Sequence, residues 1–119
     1  MTKLISWVEI PATDFERAVS FYKSVLKLDL QVLDFGSEKM ACFPNGEGAI
    51  SYAPGFKPGK DGALVSFNVE QDLEAAIERI KANKGTIVQP KTKIEAEGRG
   101  YFALFIDSEG NKLGLYGDE

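Results

Sequence analysis

No histidine occurs in this chain. That absence removes the commonest transition-metal ligand and the only side chain whose unperturbed pKa lies near neutrality. It also excludes Ser–His and Cys–His catalytic pairs, because the base is missing. Cysteine is almost as scarce. Cys42 stands alone, so no intrachain disulfide can form, and a reducing, cytoplasmic setting fits best. Long apolar runs are missing too: the longest, Tyr101-Phe102-Ala103-Leu104-Phe105-Ile106, is far short of a membrane span. The start, Met1-Thr2-Lys3-Leu4-Ile5-Ser6, goes straight into a patterned segment with no apolar stretch of signal-peptide length. With a net charge of −4 the chain has no general attraction to phosphate backbones. Neither nucleic acid nor a membrane is expected as a partner. Gly98-Arg99-Gly100 lacks a third glycine and opens no helix, so it is no dinucleotide fingerprint.

What is present is a globular balance, 44% hydrophobic and 27% charged over 119 residues, enough for one compact core. Leu4 to Ile10 reads as a strand, with Val8 and Ile10 on one face and Trp7 and Glu9 on the other. Thr13-Asp14-Phe15-Glu16 fits a capping box, and Phe15, Ala18, Val19, Tyr22, Val25 and Leu26 keep helical spacing behind it. Three short strands are expected at Asp29 to Phe35, Lys39 to Phe43 and Ala49 to Ala53. Two prolines and three glycines between Pro54 and Gly62 mark a linker.

The pattern then starts again. Ala63 to Val69 reads as a strand, with Val65, Phe67 and Val69 on one face and Leu64, Ser66 and Asn68 on the other. Leu73, Ala76, Ile77 and Ile80 define a second helix with a glycine C-cap near Gly85. Strands follow at Thr86 to Gln89, Tyr101 to Ile106 and Lys112 to Tyr116. The halves also match in residues: Asp14-Phe15-Glu16-Arg17-Ala18-Val19 aligns with Asp72-Leu73-Glu74-Ala75-Ala76-Ile77 at a constant offset of 58. Phe43-Pro44-Asn45-Gly46-Glu47-Gly48 echoes Phe105-Ile106-Asp107-Ser108-Glu109-Gly110. The expected fold is therefore α+β. Two βαβββ modules, about 1–54 and about 63–119, are joined by a linker at about 55–62. Their bare faces would curl one eight-stranded mixed sheet around a cup, with the helices outside.

Trp7-Val8-Glu9-Ile10-Pro11-Ala12-Thr13-Asp14 followed by Arg17-Ala18-Val19-Ser20-Phe21-Tyr22 resembles the opening strand and helix of the vicinal-oxygen-chelate superfamily. Asp-x-x-Arg-Ala-x-x-Phe-Tyr, here Asp14 to Tyr22, is its most distinctive signature. Gly98 to Ala103 and Phe105 to Asn111 resemble its closing hairpin, so the likeness covers nearly the whole chain. It is most similar to members related to lactoylglutathione lyase. The resemblance implies paired modules around a cup, often assembled as dimers, so a homodimer is expected. It also implies a metal held by His, Glu or Gln on the first and last strand of each module. Those positions fall here on Trp7, on Ser51 (or Tyr52 if the alignment slips by one), on Leu64 and on Gly114. Tryptophan, leucine and glycine side chains cannot coordinate a cation, and a lone serine does so weakly. No metal or other cofactor is expected; the family's metal chemistry, which its glyoxalase and extradiol dioxygenase activities require, does not carry over.

The expected pocket residues are Trp7, Glu9, Ser51, Tyr52, Leu64, Ser66, Arg99, Gly114 and Tyr116. Glu9 reads either as a general base beside an indole or as a strand carboxylate paired with a lysine. Trp7 either stacks on a planar ligand or plugs the space a metal would take. Tyr52 and Tyr116 rim the pocket or sit on the surface. Arg99 reaches an anionic group or is a solvated loop tip. Cys42 reads as a small core residue. The expectation is metal-independent binding of an unidentified small molecule. A metal-free lyase or isomerase using Glu9, and a structural subunit with a closed pocket, are the alternatives.

Overall fold

A computed structural model describes residues 4–119; the first three, on which part of the reading of the amino terminus rests, lie outside it. Strand β1 (Val8–Pro11) leads into helix α1 (Phe15–Leu26), then β2 (Gln31–Asp34), β3 (Lys39–Cys42), a short 3-10 turn (Pro44–Gly46) and β4 (Gly48–Tyr52). The second half repeats this order with β5 (Ser66–Glu70), α2 (Leu73–Ala82), β6 (Thr86–Lys93), β7 (Tyr101–Ile106) and β8 (Lys112–Gly117).

Each half forms its own four-stranded mixed sheet, in the orders β1-β4-β3-β2 and β5-β8-β7-β6. The first and last strands of each half run parallel and the other pairs antiparallel. This corrects the expected continuous eight-stranded sheet: no strand of one sheet pairs with a strand of the other, and β1 and β5 remain edges. Part of the reason is local. β1 has only four residues and ends on Pro11, which has no N–H to donate. Apolar side chains on both edges, Val8 and Ile10 against Val65, Phe67 and Val69, line a groove between them.

The two halves meet instead through their helix-bearing faces. Ile10, Ala41 and Ile50 of the first sheet and Ala103, Phe105, Leu113 and Leu115 of the second belong to one buried core. Between them lie Ala18, Phe21, Tyr22 and Val25 of α1 and Leu73, Ala76, Ile77 and Ile80 of α2, the stripes that the helical spacing marks. Phe21 stacks on Phe105 at 6.4 Å, and Tyr22 and Phe43 both contact Phe67 at 5.7 Å. Aromatic pairs at these separations add to the burial of apolar area.

Polar contacts fasten the same seam at one end. The Tyr22 hydroxyl donates to Asp107 Oδ2 at 2.7 Å, and Asn111 donates to the same carboxylate and to the Pro11 carbonyl. Glu109, reaching over from the β7–β8 turn, accepts from the Thr13 and Asp14 amides at 2.9 and 2.8 Å and from the Arg17 guanidinium at 2.6 and 3.1 Å. The capping box expected at Thr13 and Glu16 is thus replaced. Asp14 is the N-cap, accepting from the Arg17 amide, and Glu109 satisfies the amides ahead of it.

Candidate functional site

Strand register decides which side chains share the face that carries no helix. In the first sheet one cross-strand row on that face is Glu9, Ala49, Cys42 and Gln31, and the next is Pro11, Ser51, Met40 and Leu33. Ser51 is only 3% exposed, and its hydroxyl donates to Glu9 Oε1 at 2.8 Å. Trp7, 40% exposed, lines a hollow of about 530 Å³ with Gln31, Cys42 and Phe43. Cys42 is therefore no core residue. Its neighbour Ala41 turns into the core, and the strand alternation puts the thiol on the open face.

Tyr52 lies elsewhere. It pairs with Lys39 on the helix side and lines a hollow with Phe15 and Glu16 at the start of α1. The one-residue slip that would have brought it into the pocket does not occur.

In the second sheet the corresponding rows are Ser66, Gly114, Leu104 and Asn68, Tyr116, Phe102. Gly114 leaves room for its neighbour, since a Cβ there would lie 2.4 Å from Ser66 Oγ. Leu64 precedes the strand and is 51% exposed. The Tyr116 hydroxyl accepts from the Gly100 amide at 3.2 Å, which ties β8 to the loop bearing Arg99. The Arg99 side chain is exposed, and among the described residues it has no side-chain partner. Sequence reasoning passed over Gln31 and Met40 on the first open face and Phe102 and Leu104 on the second, and it put Asn68 on the Ser66 face without assigning it to the pocket.

The structure joins Glu9 to Ser51 and Ser66 to Gly114. No main cavity brings Glu9 or Ser51 together with Gly114 or Tyr116. Among the described residues, the two sets therefore line different hollows or none of the main ones. Titration is perturbed at the seam. Burial, reinforced by Asp107, pushes the Tyr22 hydroxyl well above its ordinary value. Burial raises Glu109, but hydrogen bonds from Arg17, the Asp14 amide and Ser108 outweigh it and hold that carboxyl below the usual range.

The family model for the glyoxalase/bleomycin resistance protein/dioxygenase superfamily matches residues 4–115. This chain belongs to that superfamily. A glyoxylase-like domain-containing protein from Didymella fabae is 34% identical over 117 residues, covering 90% of this chain and 88% of its own. The glyoxylase/bleomycin resistance protein/dioxygenase domain from Frankia sp. EAN1pec superposes with a TM-score of 0.76 at 19% identity, over all of both chains. A mutant of the fosfomycin resistance protein FosX from Listeria monocytogenes, solved with Mn(II) and a dihydroxypropylphosphonic acid, gives 0.70 at 17% identity. That match covers 98% of this chain and 90% of FosX.

The superfamily includes metal-dependent members, and the side chains here can be tested against such an ion. Of Trp7, Ser51, Leu64 and Gly114, only Ser51 offers a side-chain oxygen, a single neutral hydroxyl that ligates a cation weakly. Among the described residues no three Asp, Glu or Cys side chains are grouped as a cation would need. This donor set does not fit a divalent ion.

Proposed function

We propose that this superfamily member binds a small organic molecule without a metal, on a surface built from the open faces of both sheets. The observation that carries the reading is the identity of the four side chains at the expected ligand positions: three without a ligating atom, and one a lone neutral hydroxyl. Around them the open faces are apolar and aromatic with a few polar groups. Trp7, Leu33 and Met40 lie on one, and Phe102, Leu104 and Tyr116 on the other. Such a mixture suits a largely apolar ligand fixed by a few hydrogen bonds.

Because the two faces share no main cavity within a chain, the proposed site takes one face from each of two protomers. Charge supports that pairing. Glu9 lies on the first open face, whereas the second carries Lys112 at one end of the β8 row and the Arg99 loop, tied to Tyr116, at the other. The proposed setting is cytoplasmic, in keeping with the lone cysteine; no helix among the described residues is long and apolar enough to cross a membrane.

A thermal-shift screen of aromatic, peptidic and thiol compounds in the presence of a chelator tests the proposal. A ligand at a hundred times its Kd adds about 2.7 kcal/mol to stability. Stabilisation that persists with chelator, in a protein that sediments as a dimer, is the expected result. No stabilisation by any compound, or stabilisation abolished by the chelator, would remove the proposal's basis.

The Glu9–Ser51 hydrogen bond favours one second reading, in which Glu9 serves as general base in a metal-free lyase or isomerase. On that reading Glu9→Gln keeps ligand binding and loses turnover. Equal turnover in the variant would eliminate it.

A further inference from the structure

The internal duplication is asymmetric at its seam. Arg17 and Tyr22 of the first half correspond to Ala75 and Ile80 of the second, at the offset of 58. Asp107 and Glu109 correspond to Asn45 and Glu47 in the echo between the two strand-turn segments. One end of the seam is closed by the Tyr22–Asp107 and Arg17–Glu109 contacts. At the other end their counterparts, Ile80 with Asn45 and Ala75 with Glu47, cannot form either contact.

That end is open. A groove of about 610 Å³ runs between the β1 and β5 edges, within the size range of small-molecule sites. Val8, Ile10, Leu28, Val65, Phe67 and Val69 form its apolar wall, and Ser66 and Asn68 add neutral polar groups. Its charged groups are Glu47, Glu70, Asp72 and Arg79. Arg79 is bonded to Asp72 and to the Val25 carbonyl, and Lys27 also lies within electrostatic reach of Asp72. Glu47 and Glu70 have no side-chain hydrogen bond or ion pair among the described residues. Glu70 is moreover held at φ 54°, a left-handed conformation that side chains other than glycine rarely adopt.

We infer that this groove, which shares only Ser66 and Asn68 with the open-face rows, is a second binding site for an amphiphilic cation: an apolar chain carrying an amine or quaternary ammonium. The chain fills the apolar channel, and the cationic head lies against the Glu47 and Glu70 carboxylates. An anionic head of the same size meets two unpaired carboxylates, while the one arginine present is already engaged, so the sign of the head group decides the affinity.

Octyltrimethylammonium, octanoate and octanol, titrated below their aggregation concentrations and followed by amide NMR shifts, test this. The cation is expected to saturate shifts at Val8, Leu28, Val65 and Phe67, while octanoate leaves them unmoved. Glu47→Gln with Glu70→Gln, both at exposed side chains, is expected to weaken the cation by about tenfold with an otherwise unchanged spectrum. The single variants serve as controls should the double variant lose its dispersed spectrum. Equal binding of octanoate, shifts confined to Trp7, Cys42 or Tyr116, unchanged affinity in a folded variant, or no saturable binding of the cation would each overturn the inference. The reporters Val8, Leu28, Val65 and Phe67 lie off the open faces, and of the open-face rows only Ser66 and Asn68 also line the groove, so the two sites are told apart by which shifts saturate.

Discussion

The Tyr22 hydroxyl donates a 2.7 Å hydrogen bond to Asp107, 85 residues further along the chain, and both groups are buried. The most distinctive stretch of the family resemblance, Asp14 to Tyr22, thus supplies the contacts that hold the two halves together. None of its side chains lies on the open faces. Tyr22→Phe removes the donor but leaves Asp107 Oδ2 bonded to Asn111. The expected loss is about 1–2 kcal/mol in urea unfolding. Because the Tyr22 pKa is raised in the folded state, its contribution is fully present below the ordinary tyrosine value of 10.0 and declines as pH rises beyond it. The wild-type chain should therefore lose stability above that pH more steeply than the variant.

Glu109 gives the opposite pH dependence. Its carboxyl is held below its ordinary value of 4.5, so it contributes fully above that pH and progressively less as pH falls through the depressed value. Glu109→Gln should flatten the acid limb of the stability profile and cost about 1–3 kcal/mol at neutral pH. An acid limb identical in variant and wild type would show that this carboxylate does not set it.

Two nearby glycines should respond differently to alanine. A Cβ on Gly48 would lie 2.1 Å from the Val8 carbonyl oxygen, a backbone atom that cannot move without unpairing β1 from β4. Gly48→Ala should cost at least about 2 kcal/mol. Gly46 has open space around its would-be Cβ and only a positive φ of 68° to oppose it, so Gly46→Ala should cost about 1 kcal/mol. Chemical denaturation of the two variants ranks them.

Trp7 is the only tryptophan and stands half-open on the first sheet's bare face. Its emission should shift to the blue and resist acrylamide quenching as protein concentration rises through the dimer range, and again on ligand addition. Trp7→Ala should change stability by less than about 0.5 kcal/mol while weakening ligand binding. Emission independent of both concentration and ligand would place Trp7 outside the site.

Much of the architecture is legible in the sequence, because hydrophobic spacing reports faces directly. The α1 stripe from Phe15 to Leu26 matches the helix end to end, and Tyr101–Ile106 matches β7. β6 runs to Lys93 rather than stopping at Gln89, since Pro90 is tolerated on an edge strand whose register already shifts around it. The α2 terminus differs in a similar way. Lys84, not Gly85, takes the left-handed position, and Gly85 is needed because a Cβ would meet Ile80 at 2.6 Å. What sequence alone does not carry is long-range pairing. Glu109 as the partner of the Thr13 and Asp14 amides, Tyr52 turned to the helix side, and two sheets left unjoined all follow from register and docking. Alternation put Glu9 and Ser66 opposite the helix-facing side chains, but the separation of the two open faces was not legible.

Equilibrium dialysis against Mn²⁺, Ni²⁺ and Zn²⁺, followed by elemental analysis of the protein, bears most directly on the metal-free account of the open faces. The expected result is only trace metal, unchanged in Glu9→Gln and Ser51→Ala. A stoichiometric ion that survives dialysis and is lost in either variant would contradict it.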